Sequence, residues 1–168
     1  MEDRLLLFRI DNRLVHGQVC TVWIPQKKIK RVVIIHDEYA ADEFFRDLNA
    51  SAVPATCKCD TISTEEAAKQ WKEDKFGDQN TIVIFQTPEH AKKAIDAGIE
   101  INEMQVATLA GGAGSVTIYK QVNVDPARAK LFLDLYESGT KCYCQMYADN
   151  PREDMKELLL ANAKALQL

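Results

Sequence analysis

Between positions 9 and 19 the chain reads Arg9-Ile10-Asp11-Asn12-Arg13-Leu14-Val15-His16-Gly17-Gln18-Val19. Two arginines, an aspartate and a histidine therefore follow closely on a β-rich run at residues 5–10. Planar guanidiniums offer forked donors that match phosphate oxygens. A helix is expected to open near Gly17 and run through Trp23 to a break at Pro25, so its first N–H groups would face whatever anion sits there. The same positive helix end favours the uncharged form of His16, which leaves a ring-nitrogen lone pair free to attack phosphorus. Asp11 is placed to orient a ring N–H or an arginine, and Asn12 lies beside it as a supporting polar group. The competing reading is an ordinary polar turn whose arginines pair with local carboxylates.

The elements around this segment decide whether it can be a site. Short β-rich runs occur at residues 5–10, 32–35, 81–85, 106–109, 116–119 and 142–146, and several are continuously apolar, as strands buried on both faces are. Helices are expected to open where a capping residue precedes proline, at Thr87-Pro88, Asp125-Pro126 and Asn150-Pro151. Another opens at Ser63, with Glu66 three positions on. Gly98 and Gly139 are placed to end two of them. The alternation of strands and helices predicts an α/β fold: a single domain over residues 1–168, with a mostly parallel central sheet and helices on both faces. Open sheets of this kind bind ligands beyond the carboxyl ends of their strands, which is where His16 would lie.

Composition excludes other classes. The chain has 168 residues, with Lys+Arg 21 against Asp+Glu 25 and a net charge of −4. That balance gives no basic face for nucleic acid. No apolar run approaches the roughly 20 residues of a membrane span. The opening Met1-Glu2-Asp3-Arg4 carries no secretory signal, and five cysteines, an odd number, suit a reduced cytoplasmic protein.

The segment from Arg9 to Val19, followed by Trp23, resembles the signature of the IIB component of the mannose/fructose/sorbose family of the bacterial sugar phosphotransferase system. The resemblance continues through Val32-Val33-Ile34-Ile35-His36-Asp37-Glu38 and into the C-terminal strand–helix units. It implies that His16 accepts a phosphoryl group from a phosphohistidine on a IIA protein or domain and passes it to a sugar during uptake through membrane IIC and IID subunits. It further implies that Arg9 and Arg13 neutralise the phosphoryl group, with the N–H groups around Gly17 assisting. The chain would then be cytoplasmic and peripherally associated with the transporter, with self-association left open. No cofactor and no metal is expected. Asn12 stands where the family usually has a second aspartate. Two further segments, 107–115 and Tyr147-Ala148-Asp149-Asn150-Pro151, also depart from its pattern.

Other features read more plainly. The run Gly111-Gly112-Ala113-Gly114-Ser115 lacks the ending of a nucleotide loop and precedes a strand, so a tight turn is expected, placed to line the rim of the site. Cys57/Cys59 and Cys142/Cys144 would each project two thiols to one face as core residues. His36 is a candidate supporting residue, His90 is expected to face solvent, and Asp37 is expected to cap a helix holding residues 39–48. Trp23 is expected in the core. The run Lys27-Lys28-Ile29-Lys30-Arg31 reads as a solvated turn. Two rivals remain at this point: a binding or regulatory module that senses phosphorylated metabolites or a partner, and, weaker, a hydrolase using His16 and Asp11.

Overall fold

Strand β1 (Leu6–Asp11) pairs in parallel with β4 (Thr81–Phe85) on one side and with β5 (Glu103–Thr108) on the other. In the computed structural model, which describes residues 4–168, the sheet is completed by β2 (Arg31–Ile35), β3 (Lys58–Ile62), β8 (Lys141–Cys144) and β9 (Glu153–Asp154), in the order β3-β2-β4-β1-β5-β8-β9. Of these pairings only β8 with β9 is antiparallel. Strands β6 (Val116–Tyr119) and β7 (Val122–Val124) form a separate hairpin, so the run at 116–119 is a strand outside the main sheet.

Alternation along the central strands builds two cores. Val33, Ile35, Val83 and Phe85 pack to one side with α4 (Thr64–Asp74), α5 (Pro88–Asp96), α6 (Pro126–Glu137) and α7 (Met155–Ala161). Val32, Ile34, Ile82 and Ile84 pack to the other with α1, residues 17–26. Apolar residues on both faces explain the unbroken hydrophobic runs. Cys57 and Cys59 lie in the second core and Cys142 and Cys144 in the first, each pair on one face. Burial pushes the Cys59 and Cys142 thiols up to about 12, so both stay protonated and apolar.

Gly98 (φ +102) and Gly139 (φ +104) do end α5 and α6, where the left-handed turn lets Ile99 and Thr140 donate back to Ala94 and Leu135 carbonyls. The expected helix over 39–48 is broken at Asp42 into α2 (Asp37–Ala41) and α3 (Glu43–Ala52). Its start is capped by the His36 ring rather than by Asp37, whose carboxylate instead accepts from Thr64 and Lys93. The helix expected at Asn150-Pro151 begins only at Met155: β9 intervenes, and Asp154 accepts from the Glu157 N–H. Finally, α1 does not break at Pro25 but continues to Gln26, with a π-helical stretch over Val19–Trp23. The short α8 (Ala163–Leu166) ends the fold.

Strands β1 and β5 are neighbours whose onward connections leave on opposite faces, β1 into α1 and β5 towards α6. A crevice opens between such strands at their carboxyl ends. No helix among the described residues is long and apolar enough to cross a membrane.

Candidate active site

The last residue of β1 is Asp11, and the pairing with β5 slips there: Ile10 faces Val106, whereas Asp11 faces Thr108. This bulge re-aims the strand end and sets the Thr108 hydroxyl 2.7 Å from Asp11 Oδ1. The chain then turns, with Leu14 N–H donating to the Asp11 carbonyl (3.0 Å) and Leu14 itself in the left-handed region at φ +56. Leu14 is held there by burial in the core beneath α1. The reversal folds His16 back over Asp11, and His16 Nε2 lies 2.7 Å from Asp11 Oδ2.

Asp11 is fully buried and serves as the hub. Oδ2 also accepts from Arg9 Nη2 (2.9 Å) and Nε (3.3 Å); Oδ1 accepts from Arg13 N (3.1 Å) and Nε (3.3 Å). Burial opposes ionisation, but the His16 hydrogen bond, the Arg9 charge and the Thr108 hydroxyl outweigh it and hold the carboxyl well below the usual carboxylate range. An ionised carboxylate only accepts, so His16 Nε2 carries the proton and Nδ1 keeps its lone pair. Nδ1 accepts from the Gln18 N–H (3.3 Å), and the His16 carbonyl accepts from Cys20 N–H, so His16 sits as the capping residue of α1. Two guanidiniums around one carboxylate leave a positive charge in excess beside a helix start, an arrangement that suits an anion.

The chain as a whole is similar to known proteins. Residues 5–167 match the family described as PTS system sorbose subfamily IIB component, PTS being the sugar phosphotransferase system. The chain belongs to this family. It is 29% identical to the PTS system sorbose-specific EIIB component of Klebsiella pneumoniae, over 88% of this chain and 90% of that one. It is 27% identical to the PTS system fructose-specific EIIB component of Bacillus subtilis (strain 168), over 92% and 95%. The crystal structure of the IIBSor domain of the sorbose permease from Klebsiella pneumoniae superposes with a TM-score of 0.84 at 28% identity, covering 95% of this chain and 98% of that one.

Within this IIB component the expected site residues take unequal places. His16 and Asp11 meet directly. Arg13 stands at the mouth with its side chain 32% exposed, and its Nη2 donates to Gln18 Oε1 (3.2 Å). Gly17 is exposed, and its position has open space for an incoming group. Arg9, expected as half of a phosphate clamp, is fully buried: its Nη1 donates to Gln105 Oε1 (2.5 Å) and its guanidinium lies 5.3 Å from the centre of the Trp23 ring. Arg9 therefore faces the interior and acts on the site through Asp11. Asn12 donates its backbone N–H to the Thr108 carbonyl (3.4 Å), and among the described residues the side-chain hydrogen bonds to Asp11 and His16 come from other residues. Trp23 is core, as expected, with its indole N–H on the Met146 carbonyl.

The structure adds residues that sequence patterns did not single out. Thr108 and Gln18 contact Asp11 and His16, and Gln18 Nε2 donates to the Tyr147 hydroxyl (3.0 Å), which brings the loop after β8 to the rim. Residues 110–115 form the expected turn into β6, with Gly112 and Ser115 bonded to each other. A Cβ at Gly111 would meet Asn123 at 2.8 Å, so close approach to the hairpin is what that glycine serves. His36 is buried and stacked on Tyr39 (3.8 Å between centroids), with Nε2 against Gln86. His90 is not solvent-facing as expected but lies half-buried against His36 (4.4 Å).

Proposed function

We propose that His16 carries the phosphoryl group of this phosphotransferase component, taking it from a phosphohistidine on a IIA protein or domain and delivering it to a sugar. The observation that carries this reading is the 2.7 Å hydrogen bond that commits His16 Nε2 to Asp11 and leaves Nδ1 as the nucleophile.

In the first transfer the Nδ1 lone pair forms the new N–P bond, in line with the bond that breaks. The departing electron pair returns to the donor's ring nitrogen. The Nε2 proton stays on His16, and Asp11 stabilises the positive charge that the phosphorylated ring acquires, a carboxylate role familiar from other histidine catalysts. The Gln18 N–H, released from Nδ1, and the Arg13 guanidinium are the donors available to the phosphoryl oxygens. In the second transfer a sugar hydroxyl oxygen attacks phosphorus, the N–P pair returns to Nδ1, and the hydroxyl proton leaves to solvent. Phosphoryl transfer asks mainly for positioning and charge stabilisation, which this loop supplies.

Residues 1–168 act in this reading as one IIB domain on the cytoplasmic side, docked against membrane IIC and IID subunits. Incubation with phosphorylated IIA protein should yield an acid-labile, base-stable phosphate on the chain, and His16→Ala should abolish it. Labelling that survives the substitution refutes the assignment; a chain that binds phosphosugar yet never labels would be a sensing module instead.

A further inference from the structure

The loop that follows β8 is tied to α1 through two adjacent residues. The Trp23 indole N–H donates to the Met146 carbonyl (3.3 Å), and Gln18 Nε2, five positions earlier on the helix, donates to the Tyr147 hydroxyl (3.0 Å). The first bond is buried, whereas the second lies at the rim, where Tyr147 is 37% exposed. Tyr147 is itself held. Its backbone N–H donates to Asn150 Oδ1 (3.3 Å), and its carbonyl accepts from the Asn150 N–H (3.1 Å). Lys120, from the turn between β6 and β7, donates to the same Asn150 Oδ1 (2.6 Å) and sets its ammonium 5.7 Å from the centre of the Tyr147 ring.

The Gln18 amide has one orientation that satisfies both of its neighbours. A guanidinium has only donors, so the amide oxygen takes the Arg13 contact and the NH₂ group is left to the tyrosine oxygen. Arg13 Nη2 lies 3.2 Å from Gln18 Oε1, and Arg13 Nε lies 3.3 Å from Asp11 Oδ1. Two of the three guanidinium nitrogens are thus pinned, one by the carboxylate under His16 and the other, through Gln18, by Tyr147. The Gln18 backbone N–H meanwhile donates to His16 Nδ1 (3.3 Å). Gln18 therefore links the nucleophilic nitrogen, the exposed arginine and the rim tyrosine. An arginine with 32% of its side chain exposed samples many rotamers unless its head is held, and a donor that wanders is not preorganised for developing charge.

We propose that Tyr147 is a positioning residue for phosphoryl transfer at His16, given the carrier role of that histidine: its hydroxyl fixes the Gln18 amide, and the amide holds the Arg13 guanidinium at the mouth of the site. Tyr147 acts through Gln18 and Arg13 rather than on the reacting atoms. Without the hydroxyl, Gln18 Nε2 loses its acceptor, the amide is free to turn, and Arg13 keeps only its anchor on Asp11.

The test uses the whole chain with Tyr147→Phe, which removes the hydroxyl and keeps the ring. In single-turnover transfer from phosphorylated IIA protein the limiting rate should fall about fivefold to tenfold, the scale of one lost hydrogen bond, while the half-saturating IIA concentration changes by less than about twofold. In an Arg13→Gln background the same substitution should cost less than about twofold, because the group that the hydroxyl positions is gone. In the unphosphorylated ¹⁵N-labelled chain the Arg13 Nε–H and Gln18 side-chain amide signals, assigned by their loss in Arg13→Gln and Gln18→Met, should shift or broaden in Tyr147→Phe. An unchanged limiting rate, an undiminished loss in the Arg13→Gln background, or Arg13 and Gln18 signals that stay in place overturns the proposal. The spectra need no transfer, so a chain whose signals move but whose His16 never labels refutes the carrier reading while upholding the tether.

Discussion

Arg9 and Asp11, two residues apart on one strand end, form an ion pair in which both side chains are fully buried, Nη2 to Oδ2 at 2.9 Å. A buried pair gains specificity only where its remaining donors and acceptors are also satisfied. Here Gln105, Thr108, Arg13 and His16 complete that set. The pair is thus a rigid base that holds one imidazole in one tautomer, and its two members should fail in different ways when changed.

Asp11→Asn keeps the shape but lets the amide present an N–H to His16, which frees the opposite tautomer and removes the charge that steadies the phosphorylated ring. Single-turnover transfer from phosphorylated IIA should fall by about two orders of magnitude or more. The change also leaves the Arg9 guanidinium buried without its counter-ion, so urea denaturation should show a loss of about 3 kcal/mol. A variant that transfers at the normal rate would remove Asp11 from the mechanism.

Arg13 is the exposed guanidinium, and its pairing with Asp11 is peripheral. Arg13→Gln should lower single-turnover transfer by about a hundredfold, the scale for losing one donor to developing charge. Stability should change by less than about 1 kcal/mol, since partly exposed ion pairs contribute little. Equal loss of both would mean that Arg13 holds the loop rather than the phosphoryl group.

How far this was legible in the sequence follows from the range of each determinant. The loop from Arg9 to Gly17 stood out because its charged types follow a strand end, where α/β sheets place ligands, and the central strands stood out because both their faces are apolar. Arg9's burial was also readable in principle: it shares parity with Leu5 and Leu7, which lean on the core beneath α1. What could not be read is the bulge after Ile10, because it is set by pairing with a strand nearly a hundred residues away and only that slip brings Thr108 to Asp11. The C-terminal helix starts later than its first capping signal because two such signals lie four residues apart. Asn150 precedes a proline but is bonded to Lys120 and the Tyr147 N–H, so Asp154 does the capping.

Leu14 holds the turn in a conformation that side chains adopt at a strain of order 1 kcal/mol, and burial is what keeps it there. Leu14→Ala should destabilise the fold by about 2–3 kcal/mol. It should also loosen His16 over Asp11, so transfer should slow even at temperatures where the chain stays folded. Circular dichroism melting and single-turnover transfer at low temperature separate the two effects.

His90 supplies a pH dependence independent of the His16 loop. Burial, and then the neighbouring His36 ring, lower its pKa below the ordinary histidine value of about 6.5. The unfolded chain therefore binds a proton more readily than the folded one as pH falls past that value. Stability from His90 is fully present above about pH 6.5 and is lost as pH drops through the lowered folded value. The Thr87 hydroxyl against Nδ1 anchors the ring where this holds. Urea midpoints measured between pH 7.5 and 5 should decline on the acid side, and His90→Gln should flatten that decline while leaving His16 labelling intact. A decline of the same steepness in the variant would assign it to other groups, with Asp37, Glu38 and Glu89 the charged neighbours to change next.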